Sequence, residues 1–115
     1  MQQDLRKNRR FRRHILSVPV HVVREFPHRG ETLPGLMMEI SEGGFSTMLT
    51  DALRPGERVV AKFELPGSGY VSIEAAVRNK NLFRYGFEFV ELDEKTWEKI
   101  KQACESLPRY EGGWY

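Results

Sequence analysis

The chain has 115 residues, with 18 Lys and Arg against 16 Asp and Glu, and a single cysteine. This length is that of one ordinary domain with one hydrophobic core. The lone Cys104 excludes an internal disulfide bond. Because no apolar stretch is long enough for a membrane span or a secretory signal, we expect a cytoplasmic protein without membrane association.

Positive charge is concentrated at the start of the chain. Residues 1–14 carry six Lys or Arg and one Asp, a formal charge of +5, while the other 101 residues carry −3. We predict a flexible, Arg-rich arm over residues 1–14. This asymmetry suggests an anionic partner, although a solvated tail would have the same composition.

Beyond the arm, the sequence pattern changes to that of β-strands. Apolar residues alternate with other residues from Leu16 to Val22, and Pro19 places this strand at an edge or a bulge. Residues Pro27–Gly35 are typical of a loop. The apolar run Leu36–Ile40 then leads into the reversal "SEGG" at Ser41–Gly44, and the chain leaves it through a third strand, "FSTMLT" at Phe45–Thr50.

The second half of the chain predicts three more strands and a helix. The signals in chain order are a turn at Leu53–Glu57, a strand at Val59–Leu65, a hairpin turn at Pro66–Gly69, a strand at Val71–Val77, a turn near Lys80–Leu82, and a strand at Tyr85–Phe89. From Leu92 the apolar period lengthens. This predicts an amphipathic helix over about residues 93–107, with Asp93 as its N-cap and Cys104 on its buried face.

These elements indicate an all-β domain over residues 15–108, a six-stranded antiparallel barrel with one C-terminal helix. Residues 109–115 form an aromatic tail, which could pack on the barrel, dock on a partner or fray. The sequence does not suggest an enzyme, because it has no nucleophile elbow, P-loop or carboxylate pair. His14, His21 and His28 lack metal-ligand spacing, so we expect neither a metal nor a cofactor, and a binding module is favoured.

Three segments carry a family resemblance: "RRFRR" at Arg9–Arg13, "EISEGG" at Glu39–Gly44 and "RYGFEFVELD" at Arg84–Asp93. In this order, before and within a six-strand pattern, they resemble the PilZ domain family, which binds cyclic di-GMP. The resemblance implies a PilZ-type (split) barrel. It also implies that the first segment binds the phosphates and guanine faces of the ligand, while the second contacts a guanine edge. The ligand-binding residues implied are Arg9, Arg10, Arg13, Glu39, Ser41, Gly43 and Gly44.

The residue types suit such a ligand. Arginine binds phosphate or guanine in a bidentate manner and stacks on bases, and five of the six cations of the arm are arginines. Gly43 and Gly44 permit positive φ and close approach of a ligand. Glu39 stands where the family has Asp or Asn. A carboxylate is retained there, but its reach differs, so we expect a lower affinity or a member that no longer binds the ligand.

The resemblance implies a second-messenger receptor in which the dianionic ligand orders the arm and creates a surface for a downstream protein. Such receptors act in bacterial motility, surface polysaccharide and biofilm control. The protein would be a monomer or a ligand-dependent dimer. One alternative is a protein-interaction module that does not bind cyclic di-GMP. Another is an RNA-binding barrel, which the net negative body disfavours, so no nucleic acid polymer is expected.

Overall fold

The structure is a computed structural model that describes residues 11–25 and 29–110. Arg9, Arg10 and His28 lie outside these residues. The described part forms six strands followed by one helix. Their bounds are β1 His14–Arg24, β2 Thr32–Ile40, β3 Gly44–Met48, β4 Arg58–Leu65, β5 Gly69–Asn81, β6 Arg84–Phe89 and α1 Glu94–Ser106.

The strands form an antiparallel barrel in the order β1-β2-β3-β6-β5-β4, which the pairing of β4 with β1 closes. The predicted six-stranded antiparallel barrel with a C-terminal helix is therefore confirmed. Closure follows from the alternation in the sequence, since every second residue of a strand points to the same face. In β4 the inward residues Val59, Ala61, Phe63 and Leu65 are buried, while their neighbours lie at the surface or are half-buried.

Aromatic rings fill the middle of the barrel. Phe45 and Phe87 stack with their centroids 4.7 Å apart, and Phe63 lies 6.0 Å from Phe45. Tyr85 is 1 % exposed, and its hydroxyl donates to the Asp51 carbonyl and accepts from the Leu53 amide. The core therefore also holds the loop between β3 and β4.

Two predicted boundaries differ from those of the structure. The loop predicted at Pro27–Gly35 is wrong for its last four residues, because β2 begins at Thr32. Pro34 is tolerated there because that part of β2 pairs only with β1, and pairing with β3 starts at Leu36. The reversal predicted near Lys80–Leu82 lies slightly later, since β5 runs to Asn81 and β6 starts at Arg84.

Pro19 lies in a strand that is paired on both sides. The ladder between β1 and β4 starts at Val20, one residue after the proline, and a bulge separates Ile15 from Val18 in the ladder with β2. The missing N–H of Pro19 therefore falls between a bulge and the start of a ladder. Both predicted features therefore lie next to Pro19, since the bulge ends at Val18 and the side of β1 that faces β4 is unpaired before Val20.

Helix α1 begins as predicted. The Asp93 carboxylate accepts a hydrogen bond of 2.7 Å from the Thr96 amide and so caps the helix. Ile100, Ala103 and Cys104 bury one face of the helix against the barrel core. Burial raises the pKa of the Cys104 thiol to about 12. The thiol is therefore a buried apolar group, as predicted. No helix among the described residues combines the length and apolar character that crossing a membrane would require.

Candidate ligand-binding cleft

A cleft of about 570 Å³ lies on the outside of the barrel, where the end of β2, the reversal at residues 41–43, β3, β6 and the second half of β5 meet. The Arg13 side chain closes it on the side of the N-terminal arm. Five of the seven site residues predicted from sequence therefore lie together in the described part of the chain. These are Arg13, Glu39, Ser41, Gly43 and Gly44.

Glu39 forms the centre of this cleft. Its register in β2 points the side chain outward, yet the residue is only 2 % exposed because two guanidinium groups cover the carboxylate. Arg84 donates a hydrogen bond to Oε2, and Nη1 of Arg13 lies 3.4 Å from Oε1. A buried carboxylate needs such partners because its charge has lost water. The two arginines are each about one quarter exposed, so they present donors to the cleft.

The reversal after β2 is stabilised by hydrogen bonds of Ser41, the first residue of the reversal. The Ser41 Oγ accepts from the Gly43 amide at 3.1 Å, and the Ser41 amide donates to the Gly44 carbonyl at 2.8 Å. The Phe89 amide donates to the Gly43 carbonyl and ties the reversal to the end of β6. Ser41 therefore shapes this wall of the cleft through a turn in which serine is favoured.

The two glycines serve close packing. Neither Gly43 nor Gly44 is among the residues with positive φ, so neither uses the conformation that glycine permits. A Cβ on Gly44 would lie 2.0 Å from the Phe87 carbonyl oxygen, and one on Gly43 would lie 3.0 Å from the Phe11 ring. Glycine at position 44 lets β3 approach β6. Glycine at position 43 gives room to the aromatic residue of the arm.

The opposite wall comes from β5 and β6. A bulge between Val77 and Asn79 shifts the β5 register next to the cleft. Such irregularities re-aim side chains at binding sites. The Asn79 side chain lies over Gly86, where an added Cβ would be 2.4 Å from its Oδ1. Because Gly86 also pairs with Ser46, small residues form a shelf between Glu39 and Asn79.

The cleft carries net positive charge. Its lining has four cations, Arg13, Arg78, Lys80 and Arg84, and two carboxylates, Glu39 and Glu88. Arg78 and Glu88 pair at 2.7 Å near the rim. The formal charge of the lining is therefore +2, and three of its four cations come from the chain beyond residue 14, which carries −3 in total. Barrel closure gathers a cationic site that the overall charge does not reveal.

Sequence reasoning missed the cations of β5 and β6. Arg84 was named only as the first residue of "RYGFEFVELD", and Arg78 and Lys80 were not assigned to a site. Arg84 follows Glu39 by 45 positions, and only the pairing of β2 with β3 and of β3 with β6 brings them together. No local signal predicts this contact. Arg9 and Arg10, which were also predicted, lie outside the described residues.

The architecture defines a small β-barrel domain with a positively charged cleft on its surface. The family model described as PilZ domain matches residues 5–106, so the chain belongs to the PilZ domain family. No curated protein matches the sequence.

Solved structures agree on the fold. The PilZ domain of YcgR from Escherichia coli, solved with c-di-GMP, has a TM-score of 0.70 and 16 % identity over 87 % of this chain and 91 % of that one. MotI/DgrA, the inhibitor of motility of Bacillus subtilis, has a TM-score of 0.69 and 23 % identity over 85 % of this chain and 50 % of that one. The PilZ domain of CeSA, from a cellulose-synthesizing bacterium, has a TM-score of 0.65 and 16 % identity over 81 % of this chain and 94 % of that one.

Proposed function

We propose that this protein is a cyclic di-GMP receptor that transmits its signal by contact, without catalysing a reaction. The observation that carries the proposal is the cleft charge of +2, to which three guanidinium groups contribute, two of them covering the buried Glu39 carboxylate. A cyclic dinucleotide is a compact dianion with two purines. Guanidinium groups bind phosphate oxygens and guanine acceptors in a bidentate manner. The YcgR PilZ domain of similar fold was solved with this ligand.

The residues take different parts in the proposed complex. Arg13 and Arg84 donate to the ligand from the two sides of Glu39, and the arm residues Arg9 and Arg10 close over it. Glu39 holds Arg13 and Arg84 toward the cleft. For Glu39 to accept directly from a guanine edge, it would have to release part of these pairs, which lowers the affinity. Gly43 and Gly44 have no side chains, so the ligand can approach the backbone closely at the Ser41 reversal.

The arm supplies the switch in this proposal. Its like charges repel one another without ligand, and the dianion supplies the opposite charge that folds the arm onto the barrel. The ring of Phe11 already contacts Gly43 at the edge of the cleft. Trypsin, which cleaves after arginine, should therefore clip the arm more slowly when ligand is saturating. Equal cleavage rates with and without ligand would refute the ordering step.

Calorimetric titration of the full chain with cyclic di-GMP at physiological salt tests the function. We expect a dissociation constant in the micromolar range or below, and a loss of at least tenfold in an Arg9→Ala/Arg13→Ala variant. The matched control is Arg54→Ala/Arg58→Ala, which removes two exposed arginines outside the cleft and should bind like the wild type. Cyclic di-AMP, which lacks the guanine acceptor pattern, should bind more weakly.

Three outcomes would replace the proposal. No binding by calorimetry and by a second method would leave a protein-interaction module without this ligand. Equal loss in both double variants would indicate unspecific charge attraction. A steep salt dependence with an RNA oligonucleotide, and little base preference, would favour the RNA-binding alternative. Light scattering at each ligand ratio distinguishes a monomer from a ligand-dependent dimer.

The proposed output is a contact with a downstream protein in the cytoplasm. The arm folded over ligand, the cleft rim and the barrel would together form a surface that the ligand-free protein lacks. Control of motility or of surface polysaccharide is consistent with relatives named as a motility inhibitor and as a domain from a cellulose-synthesizing bacterium. Ligand-dependent capture of purified candidate partners tests this part.

A further inference from the structure

The chain that follows helix α1 returns to the first residues of β1. The Ile15 amide donates to the Pro108 carbonyl at 2.8 Å, and the Tyr110 amide donates to the Arg13 carbonyl at 2.8 Å. His14 forms an antiparallel bridge with Arg109 between these two bonds. Residues 107–110 therefore form a clasp, as we call this segment, that fixes the backbone of Arg13 at the edge of the cleft.

The side chain of Arg13 is held as well. The centre of its guanidinium lies 5.2 Å from the centroid of the Tyr110 ring, within the distance of a cation–π interaction. On another side, Nη1 faces the Glu39 carboxylate at 3.4 Å. The guanidinium thus has an aromatic contact outside the cleft and an ionic contact inside it. Both restrict a side chain that would otherwise occupy many rotamers.

We propose that Tyr110 is a positioning residue of the ligand site, acting through Arg13. This inference rests on the proposed function. A flexible arginine loses rotamer entropy when it binds a ligand, and one whose orientation is set beforehand loses less. Tyr110 supplies that orientation from the end of the chain, outside the three segments that carry the family resemblance. The ligand site therefore includes the clasp.

The backbone and the ring of Tyr110 contribute separately. The hydrogen bond to Arg13 uses the Tyr110 amide, which a substitution of the side chain leaves in place. Replacing Tyr110 by leucine removes the ring and keeps the clasp, whereas phenylalanine keeps the ring and removes only the hydroxyl. Tyr70 offers a matched control, because it is 70 % exposed and does not line the cleft.

The experiment is a calorimetric titration of cyclic di-GMP into the full chain with Tyr110→Leu, Tyr110→Phe, Tyr110→Trp and Tyr70→Leu. We expect Tyr110→Leu to weaken binding by about three- to tenfold, from the usual strength of a cation–π contact. The phenylalanine and tryptophan variants should stay within about twofold of the wild type, and so should the control. In nitrogen-15 spectra, the Arg13 side-chain Nε–H resonance should move in Tyr110→Leu and not in Tyr70→Leu.

Each outcome of this experiment either supports or overturns the inference about Tyr110. Wild-type affinity in Tyr110→Leu would overturn the inference while the proposed function stands. An equal loss in the leucine, phenylalanine and tryptophan variants would also overturn it, because the ring would then not be the active group. If Tyr110→Leu fails to fold, the phenylalanine and tryptophan variants still decide by keeping or losing affinity. No binding by the wild type would refute the proposed function, and this inference with it.

Discussion

Replacing Arg84 by methionine should destabilise the barrel by leaving a buried charge short of a partner. Methionine keeps most of the length and apolar stem of the side chain but cannot donate to Glu39. The Glu39 carboxylate, 2 % exposed, would retain Arg13 at 3.4 Å as its ionic partner in the cleft. A carboxylate that cannot be rehydrated must be stabilised by the protein, so the folded state rises in free energy.

The magnitude follows from burial. Removing one partner of a fully buried ion pair costs about 3–5 kcal/mol. Here the Arg84 side chain is 25 % exposed and Arg13 still faces the carboxylate, so solvent and the remaining pair reduce the loss. We expect about 2 kcal/mol. With a urea dependence of about 1–3 kcal/mol per molar for a small protein, the unfolding midpoint should fall by about 1 M.

Urea denaturation of four proteins tests this reasoning. Arg78→Met is the matched control, because Arg78 pairs with Glu88 at the exposed rim and should lose under about 1 kcal/mol. The double variant Glu39→Gln/Arg84→Met removes the charge together with its partner. It should be more stable than Arg84→Met alone. Equal losses for Arg84→Met and Arg78→Met, or a double variant less stable than Arg84→Met, would refute the argument.

Three further predictions concern packing and burial in the barrel and its helix. Gly44→Ala should lower stability by about 3 kcal/mol in thermal unfolding because its Cβ would collide with backbone, whereas Gly43→Ala meets only a movable ring and should lose far less. Tyr85→Phe should cost about 1–3 kcal/mol in the same assay, because the Leu53 amide loses its buried acceptor. With its pKa raised to about 12 by burial, the Cys104 thiol should not react with a disulfide reagent at pH 8 until urea unfolds the chain.

Each of these has a contrary result. Equal melting of the two glycine variants would mean that β3 can move away from β6. An unchanged Tyr85→Phe would mean that another acceptor or water satisfies the loop. Rapid modification of the folded chain would show that helix α1 opens readily from the barrel.

The barrel was predictable because its information is local. Alternation of apolar residues along each strand fixes which side chains enter the core, and a small all-β chain buries them efficiently by closing. The errors occurred where local and distant effects disagree. Pro34 and Gly35 are typical of a loop, but pairing with β1 extends the strand through them. Register across the barrel decided these positions, and a single sequence does not contain it explicitly.

The site was predictable only in part, for the same reason. The motif segments indicated Arg13 and Glu39, but the partner that covers Glu39 comes from β6, 45 positions later. The bulge that shapes the far wall in β5 lies where the apolar alternation gives way to polar residues after Val77, with no Gly or Pro to mark it. Arg109 and Tyr110 of the clasp were treated as the start of an aromatic tail, although Tyr110 contacts Arg13. Long-range pairings carried the missing information.

The glutamate at position 39 has a second consequence, beyond its reach, that depends on the fold. From sequence, its extra methylene mattered for the distance to a guanine edge. In the structure, its carboxylate reaches Arg13 from the arm side and Arg84 from β6. A dianionic ligand that uses these same guanidinium groups must therefore compete with a carboxylate already in place, while it gains from their fixed positions. In the proposed complex, affinity would depend on the balance of charges around Glu39, to which Arg84, Arg13 and, through Arg13, Tyr110 would contribute.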